Sequence, residues 1–255
     1  MSAAVDTLRG GALKTRLDVA MVQRGLAESR DRAQSLILSG SVKVAGSVAS
    51  RASQPVPTEA VIEVLKPEHP FVGRGGMKLA AALDGFGIDP AGMVALDIGA
   101  STGGFTDCLL QRGAARVYAV DVGYGQLAWR LRQDARVVVV ERCNARYLDR
   151  SRIPEAVRLA TIDVSFISLT LILPAVRACL DGGGQVIALL KPQFEVGKGK
   201  VGKGGIVRDE ALRRETVDAV RRSVEAQGWI WEDEMRSPIA GRKGNIEYLV
   251  KLWRA

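Results

Sequence analysis

Cysteine is scarce in this chain. The 255 residues include three, Cys108, Cys143 and Cys179, and no two of them have the short spacing of a metal-binding pair. A small, odd and scattered set argues against a disulfide framework and against a zinc site. Reduced and mostly buried thiols are the expectation, which is typical of a cytoplasmic protein. We therefore expect no metal centre.

Histidine and long apolar runs are also lacking. His69 is the only histidine and lies in Lys66-Pro-Glu-His-Pro70, whose composition is typical of a linker, so a Ser-His-Asp triad is disfavoured. No apolar run approaches the ~18 residues of a transmembrane helix, and the first residues lack the apolar stretch of a signal peptide. These absences argue against a membrane-active protein and favour the cytoplasm.

Positive charge, by contrast, is in excess. The net charge is +8 and the isoelectric point is about 9.7. A basic surface favours an anionic partner, nucleic acid above all, although a merely solvated basic surface is the alternative. Hydrophobic residues make up 47% of the chain and charged residues 25%, which is ordinary for a globular protein with one or two domains.

Residues 14–65 predict a small α+β unit that follows a loose tail over residues 1–13. One helix is expected after Thr15 and a second after Ser29, because each side chain can cap the helix that follows it. Alternating valines on both sides of Ala45-Gly46 predict two short strands joined by a turn.

The order of residues in this unit resembles the S4 RNA-binding domain. The segments that carry the resemblance are Arg16-Leu-Asp-Val-Ala, Ser29-Arg-Asp-Arg-Ala and Gly40-Ser-Val-Lys-Val-Ala-Gly46. The family often has Asn where this chain has Ala45, but Gly46 still supplies the turn. The resemblance implies that the second helix and the turn lie against RNA phosphates. The residues expected to bind RNA are Arg16, Arg24, Arg30, Arg32 and Lys43.

A linker is expected over residues 66–72, and strands then alternate with helices over residues 73–255. Such alternation predicts an α/β fold, and near-continuous apolar strands indicate a mostly parallel, buried sheet. The fold class expected is therefore a Rossmann-like, seven-stranded sheet preceded by the small α+β unit. The strand candidates are Val94–Ile98, Arg116–Asp121, Val137–Glu141, Leu159–Val164, Val186–Leu190, Ile230–Met235 and Tyr248–Trp253.

A glycine-rich turn, Asp97-Ile-Gly-Ala-Ser-Thr-Gly-Gly104, follows the first of these strands. Gly99 permits a tight turn and the close approach of a ligand. A dinucleotide-binding pattern would have a second glycine at position 101, where Ser101 stands, so a nicotinamide oxidoreductase is disfavoured. The next strand ends at Asp121, an acidic residue that can accept hydrogen bonds from ribose hydroxyls. Together these features predict a ribose-bearing cofactor.

The turn, Asp121 and the strand order resemble the S-adenosylmethionine-dependent methyltransferases. The resemblance implies that S-adenosylmethionine is the cofactor, that Asp121 binds its ribose and that Asn144 lies at its adenine edge. The full set of residues expected to bind the cofactor is Asp97, Gly99, Ser101, Gly103, Gly104, Phe105, Asp121 and Asn144.

Two lysines and two carboxylates, Lys78, Asp163, Lys191 and Glu247, are expected to converge over the carboxyl ends of the central strands. Their local patterns are Gly73-Arg-Gly-Gly-Met-Lys78, Asp163-Val-Ser-Phe, Leu190-Lys191-Pro-Gln-Phe-Glu and Gly244-Asn-Ile-Glu247. A neighbouring positive charge favours the neutral form of a lysine, which can then accept a proton from a weakly acidic hydroxyl. Taken singly, each could be an ordinary surface residue.

In this order the four residues resemble the Lys-Asp-Lys-Glu tetrad of FtsJ-like ribose 2′-O-methyltransferases. An S4 unit joined to such a domain resembles the TlyA-type family, and the match spans about residues 14–253. The resemblance implies methylation of cytidine in 16S and 23S ribosomal RNA, with ribosomal RNA or ribosomal subunits as the partner. Members of the family have also been labelled haemolysins.

Two other functions stay open at this stage. One is a membrane-active haemolysin, which the missing apolar span and signal disfavour. The other is an RNA-binding protein without catalysis, against which the intact set of four charged residues argues. The sequence makes no prediction about the oligomeric state.

Overall fold

The computed structural model describes residues 14–38, 40–65, 69–197, 199–202, 204–241 and 244–254. The chain divides into two compact units, Met1–Glu68 and His69–Ala255, each of which is described by itself. The expected tail over residues 1–13 lies outside the described residues, as do residues 66–68 of the expected linker.

In the described residues of the first unit, the chain forms two short helices and five short strands. The helices are α1 (Leu17–Gln23) and α2 (Arg30–Leu38), and the strands are β1 (Lys14–Arg16), β2 (Val42–Val44), β3 (Ser47–Val48), β4 (Pro55–Pro57) and β5 (Ile62–Val64). Strand β1 pairs with β4, and a separate sheet has the order β3-β2-β5. The turn predicted between β2 and β3 is confirmed, with Ala45 and Gly46 at φ values of 48° and 81°.

Of the two predicted helix caps, one is confirmed and one is wrong. The Ser29 hydroxyl accepts a hydrogen bond from the Arg32 amide at 3.1 Å and so caps α2. Thr15, however, lies in β1 opposite Val56 of β4, and Arg16 is the residue that precedes α1. Pairing with a strand that is distant in sequence takes Thr15 out of the capping position.

A buried carboxylate joins the two helices of this unit. Asp18, on α1, accepts hydrogen bonds from Arg16 at 3.0 and 2.9 Å, from Gln34 at 3.0 Å and from Arg30 at 3.3 Å. The Arg16 guanidinium is the main reason that the pKa of Asp18 lies well below its ordinary value, against the effect of burial. Two of the arginines expected to bind RNA therefore also hold the fold of the unit together.

The second unit is built on a seven-stranded sheet of the order β11-β12-β10-β9-β6-β7-β8. Its strands are β6 (Val94–Ile98), β7 (Arg116–Val120), β8 (Val137–Val140), β9 (Val157–Ile162), β10 (Leu180–Leu190), β11 (Trp229–Arg236) and β12 (Tyr248–Arg254). The five strands from β6 to β10 are parallel, whereas β12 is antiparallel to both β10 and β11. The expected α/β class and the seven-stranded sheet are confirmed.

Helices cover both faces of this sheet. They are α3 (Gly75–Gly85), α4 (Gly104–Gln111), α5 (Trp129–Arg132), α6 (Leu169–Cys179), α7 (Pro192–Glu195) and α8 (Glu210–Ala226), with a short 3-10 helix at Ala145–Tyr147. Residues of α3, α4 and α5 share one apolar core with the sheet, and residues of α6 and α8 share the other. Cys108, Cys143 and Cys179 are buried free thiols. Among the described residues, no helix has the length and apolarity needed to cross a membrane.

The order of the strands fixes where a ligand can bind. The chain builds β6, β7 and β8 outward in one direction and then returns to place β9 on the other side of β6. The connections that leave β6 and β9 therefore diverge at the carboxyl edge of the sheet and open a crevice there. Asp97 and Asp163 lie at this point, in β6 and directly after β9.

Arg24 generates the first prediction, because its guanidinium donates to three carbonyls, one at the end of β4 and two in the loop between β4 and β5. The acceptors are Ala60 at 2.6 Å, Thr58 at 2.7 Å and Pro57 at 3.3 Å. Arg24→Met should leave these carbonyls to water and destabilise the loop by roughly 1 kcal/mol. Hydrogen exchange followed by mass spectrometry should then be faster at residues 57–65. Arg32→Met is the control, and equal protection in both variants would contradict the assignment.

Candidate functional site

The carboxyl ends of β6 and β9 touch through backbone atoms. The Asp163 amide donates to the Ile98 carbonyl at 2.8 Å, and a Cβ at Gly99 would collide with the Asp163 carbonyl. Gly99 also has a φ of 82°, which favours glycine. The glycine predicted for close ligand approach therefore has a packing reason as well, since it lets Asp163 lie beside the turn.

Asp121 faces the same turn from the end of β7. One of its carboxylate oxygens accepts the Ser101 amide at 2.8 Å and the other accepts the Gly123 amide at 2.7 Å. The side chain is half-buried. Each carboxylate oxygen can accept more than one hydrogen bond, so Asp121 retains acceptor capacity for a ligand hydroxyl. Its position fits the role expected from the sequence.

Asp97 lies beneath the turn and away from solvent. Its carboxylate is fully buried and accepts hydrogen bonds from Thr106 at 2.6 Å and from Thr161 at 3.0 Å. Burial raises the pKa of Asp97 to about 7, the two threonines oppose that rise, and the charge of Asp163 adds to it. Asp97 thus ties β6 to β9 and to α4 by side-chain hydrogen bonds.

The remaining residues expected at the cofactor divide into packing positions and exposed ones. A Cβ at Gly103 would collide with Leu131, and one at Gly104 would lie 3.0 Å from the Gly76 amide nitrogen. Phe105 is buried in the core shared with α3. Ser101 and Asn144 are exposed, and the Asn144 side chain accepts the Arg146 amide at 3.0 Å. The exposed pair and Asp121 are the side chains that a ligand could reach.

The four charged residues expected at the reacting centre form two ion pairs. Lys78 Nζ lies 2.5 Å from Glu247 Oε2, and both side chains are almost fully buried. Lys191 Nζ lies 2.5 Å from Asp163 Oδ1, and this pair is more accessible, with side chains 11% and 25% exposed. The accessible pair is therefore the one that a substrate could touch.

Short local contacts connect the two pairs. Helix α7 starts directly after Lys191, and its residue Gln193 donates to the second oxygen of Glu247 at 3.5 Å. On the opposite side, a Cβ at Gly75 would lie 3.9 Å from Asp163 Oδ2, and Gly75 is the first residue of the helix that carries Lys78. The two pairs therefore belong to one site.

Two aromatic residues beside this site were not singled out by the sequence analysis. Phe166 is 88% exposed, and its backbone has a φ of 65°, which is rare for a bulky residue. Its ring centroid lies 4.8 Å from that of Phe194 on α7. Such outliers concentrate at functional sites. Phe166 and Phe194 each end one of the two quoted patterns, Asp163-Val-Ser-Phe and Lys191-Pro-Gln-Phe, and this position is the signal that could have identified them.

The residues expected to bind RNA belong to the first unit and differ in whether their side chains already bind other groups of the protein. Arg16 and Arg30 pair with Asp18, and Arg24 holds loop carbonyls. Arg32 is exposed on α2, and Lys43 is partly exposed on β2. Within the described part of the chain, no group of three or more His, Cys, Asp or Glu side chains could hold a metal ion.

Comparison with known families matches both units. Residues 71–254 match the FtsJ-like methyltransferase family, and residues 15–62 match the S4 domain. A Mycobacterium tuberculosis protein named 16S/23S rRNA (cytidine-2′-O)-methyltransferase TlyA is 49% identical, with 95% of this chain and 90% of that protein aligned.

Other relatives carry a different name. Hemolysin A of Brachyspira hyodysenteriae is 42% identical over 92% of this chain and 98% of its own length. A solved structure from Streptococcus thermophilus, also described as a hemolysin, has a TM-score of 0.74 and 41% identity and covers 96% of this chain and 90% of that one. Proteins that are similar to this chain over most of its length therefore carry two different functional names, rRNA methyltransferase and hemolysin.

The raised pKa of Asp97 leads to a pH-dependent prediction. Its folded-state pKa lies above its unfolded value, so its contribution to stability is full below about pH 4 and is lost as the pH rises through about 7. Asp97→Asn should remove that loss. The free energy of unfolding of wild type, relative to this variant, should fall by roughly 2 kcal/mol between pH 5 and pH 7. Denaturant titrations at several pH values test this, and a constant difference would contradict it.

Proposed function

Because the chain belongs to the FtsJ-like methyltransferase family, we propose that it uses S-adenosylmethionine to methylate ribose 2′-hydroxyls of cytidine in 16S and 23S ribosomal RNA. The observation that carries this proposal is the pair of lysine–carboxylate contacts beside the cofactor turn. The substrate is inferred from the Mycobacterium tuberculosis relative, which is similar over nearly the whole chain. Such an enzyme works where ribosomes are made, in the cytoplasm.

The residues at the turn fit S-adenosylmethionine. Asp121 retains acceptor capacity for the two ribose hydroxyls. Ser101 has a φ of 50°, and its backbone turns sharply just after the carboxyl end of β6. Gly99 lies in this turn, and Asn144 is exposed on the side of β8. When bound, the cofactor supplies a methyl group that is activated by a positively charged sulfur.

The more accessible ion pair supports a role in proton transfer. A ribose hydroxyl is a weak acid, and a positioned base that accepts its proton accelerates its attack. We assign this role to Nζ of Lys191, while Asp163 and the Ser165 hydroxyl, 3.2 Å away, orient the amine. Lys78 supplies a second positive charge to the site. Glu247 and Gln193 keep Lys78 in place.

Phe166 is suited to hold the base of the target nucleotide. The side chain is mostly exposed, and Phe194 supports its ring from one side. An unstacked base gains roughly 1–3 kcal/mol from stacking on an aromatic ring. A base held there would bring its ribose towards Asp163 and Lys191, which precede the two rings by three residues each.

The S4 domain supports RNA as the substrate, because exposed cations such as Arg32 can contact phosphates without reading the base sequence. The competing function, a haemolysin, is favoured by the names of two relatives but by no described feature of the site. Mapping 2′-O-methylcytidine on ribosomal RNA after incubation with small and large subunits tests the proposal. Lysis of erythrocytes by pure protein, with no methylation, would support the competitor.

Lys191 provides the sharpest test of the reaction. Lys191→Arg keeps a positive charge beside Asp163, but arginine does not give up its proton at working pH. We expect kcat to fall by about 10²–10⁴-fold while S-adenosylmethionine still binds. The matched control is Lys251→Arg, which changes a similarly buried, ion-paired lysine on β12. Turnover near that of wild type in Lys191→Arg would show that charge alone is needed.

Asp121 tests the cofactor. Asp121→Ala removes a carboxylate that is expected to accept hydrogen bonds from ribose, so affinity for S-adenosylmethionine should fall by roughly 1.5–3 kcal/mol. Isothermal titration calorimetry measures this directly. Asp149→Ala is the control, since Asp149 also accepts a backbone amide but is exposed beyond the 3-10 helix. Unchanged affinity in Asp121→Ala would remove this residue from the site.

A further inference from the structure

Asp107 is a buried carboxylate that the proposed mechanism does not use. It lies on α4, three residues after Gly104, and is 4% exposed. Its side chain accepts hydrogen bonds from the Val72 amide at 2.7 Å and from Gln111 at 3.1 Å, and it forms an ion pair with Arg130. A buried carboxylate with this many partners is costly to disturb, because any change leaves donors unpaired.

The first of these contacts fixes the segment that leads into α3. This segment passes directly over the cofactor turn: a Cβ at Gly73 would lie 3.0 Å from the Thr102 hydroxyl, and one at Gly104 would lie 3.2 Å from the Gly73 carbonyl. Such close approach is possible because neither residue has a side chain. By holding Val72, Asp107 holds this segment against the turn.

The ion pair fixes α5 on another side of the same turn. Leu127 and Leu131 occupy the space that a Cβ at Gly103 would need, and the Ala128 amide donates to the Thr102 carbonyl at 3.1 Å. Arg130 lies within this stretch and is half-exposed. The pair with Asp107 therefore fastens the stretch to α4, whose first residue follows Gly103.

We propose that Asp107, together with Arg130, is a positioning residue for the cofactor: it clamps the segment around Gly73 and helix α5 onto the turn that binds S-adenosylmethionine. The clamp acts from behind the turn and touches no reacting atom. It holds the backbone of Gly99–Gly104 in the binding conformation even when no ligand is bound. Affinity then improves because less ordering remains for the binding step.

The test is a double-mutant cycle read out as affinity for S-adenosylmethionine. This inference rests on the proposed cofactor, so calorimetry on the wild-type protein comes first, and an absence of binding there overturns the proposed function itself. Asp107→Asn and Arg130→Gln should each raise Kd by about tenfold, which corresponds to about 1.4 kcal/mol. The double variant should bind no more weakly than Asp107→Asn alone, because the contact that Arg130→Gln removes is already lost in Asp107→Asn.

Two further measurements separate this role from a merely structural one. At saturating S-adenosylmethionine, kcat should stay within about threefold of wild type while KM for the cofactor rises, since only binding is affected. The control is Asp134→Asn, which weakens the ion pair between Asp134 and Arg136. This pair lines the same surface pocket as Asp107 and Arg130. Because Arg130 is half-exposed, Arg130→Gln tests the idea even if Asp107→Asn does not fold. Wild-type affinity in Arg130→Gln, or additive losses in the double variant, would overturn the inference.

Discussion

The site depends on two lysine side chains that are largely withdrawn from water. Each is matched by one carboxylate at 2.5 Å, Lys78 by Glu247 and Lys191 by Asp163. Removing one partner of the buried pair between Lys78 and Glu247 costs several kcal/mol, because an unpaired buried charge is left behind. The surrounding loops are accordingly shaped to the carboxylates. Gly241, where a Cβ would collide with the Glu247 carboxylate, shows how closely the backbone approaches.

The parallel part of the sheet could be predicted from the sequence because its strands are largely buried. Strands β6 to β9 and the last residues of β10 are short, mostly apolar runs, whereas the edge strand β11 carries charged residues at exposed positions. The residues at the strand ends could be predicted for the same reason, since Asp121, Asp163 and Lys191 each follow such a run. An error of detail lies elsewhere: Thr15, expected as a helix cap, pairs with a strand far away in sequence.

What the sequence could not reveal is the direction in which a side chain points. Asp97 and Asp121 both lie near the carboxyl end of a strand. The Asp97 side chain is buried and hydrogen-bonded to two threonines, whereas the Asp121 side chain faces the glycine-rich turn. Phe105 and Phe166 both belong to patterns of the site, but one is buried and the other is exposed. Phe105 lies in α4 and Phe166 in the loop before α6, so the direction of each side chain depends on how the helix and the loop pack against the sheet, which the sequence pattern does not contain.

The backbone contact between Gly99 and Asp163 limits how the enzyme could be engineered. A pocket that is to accept a bulkier cofactor has to be enlarged or reshaped. At the ends of β6 and β9 the contact is between backbone atoms, so shortening a side chain cannot enlarge the pocket there. For the proposed cofactor, space for an extended transferable group must therefore come from the exposed side, where the Phe166 ring can be exchanged without separating the two strands.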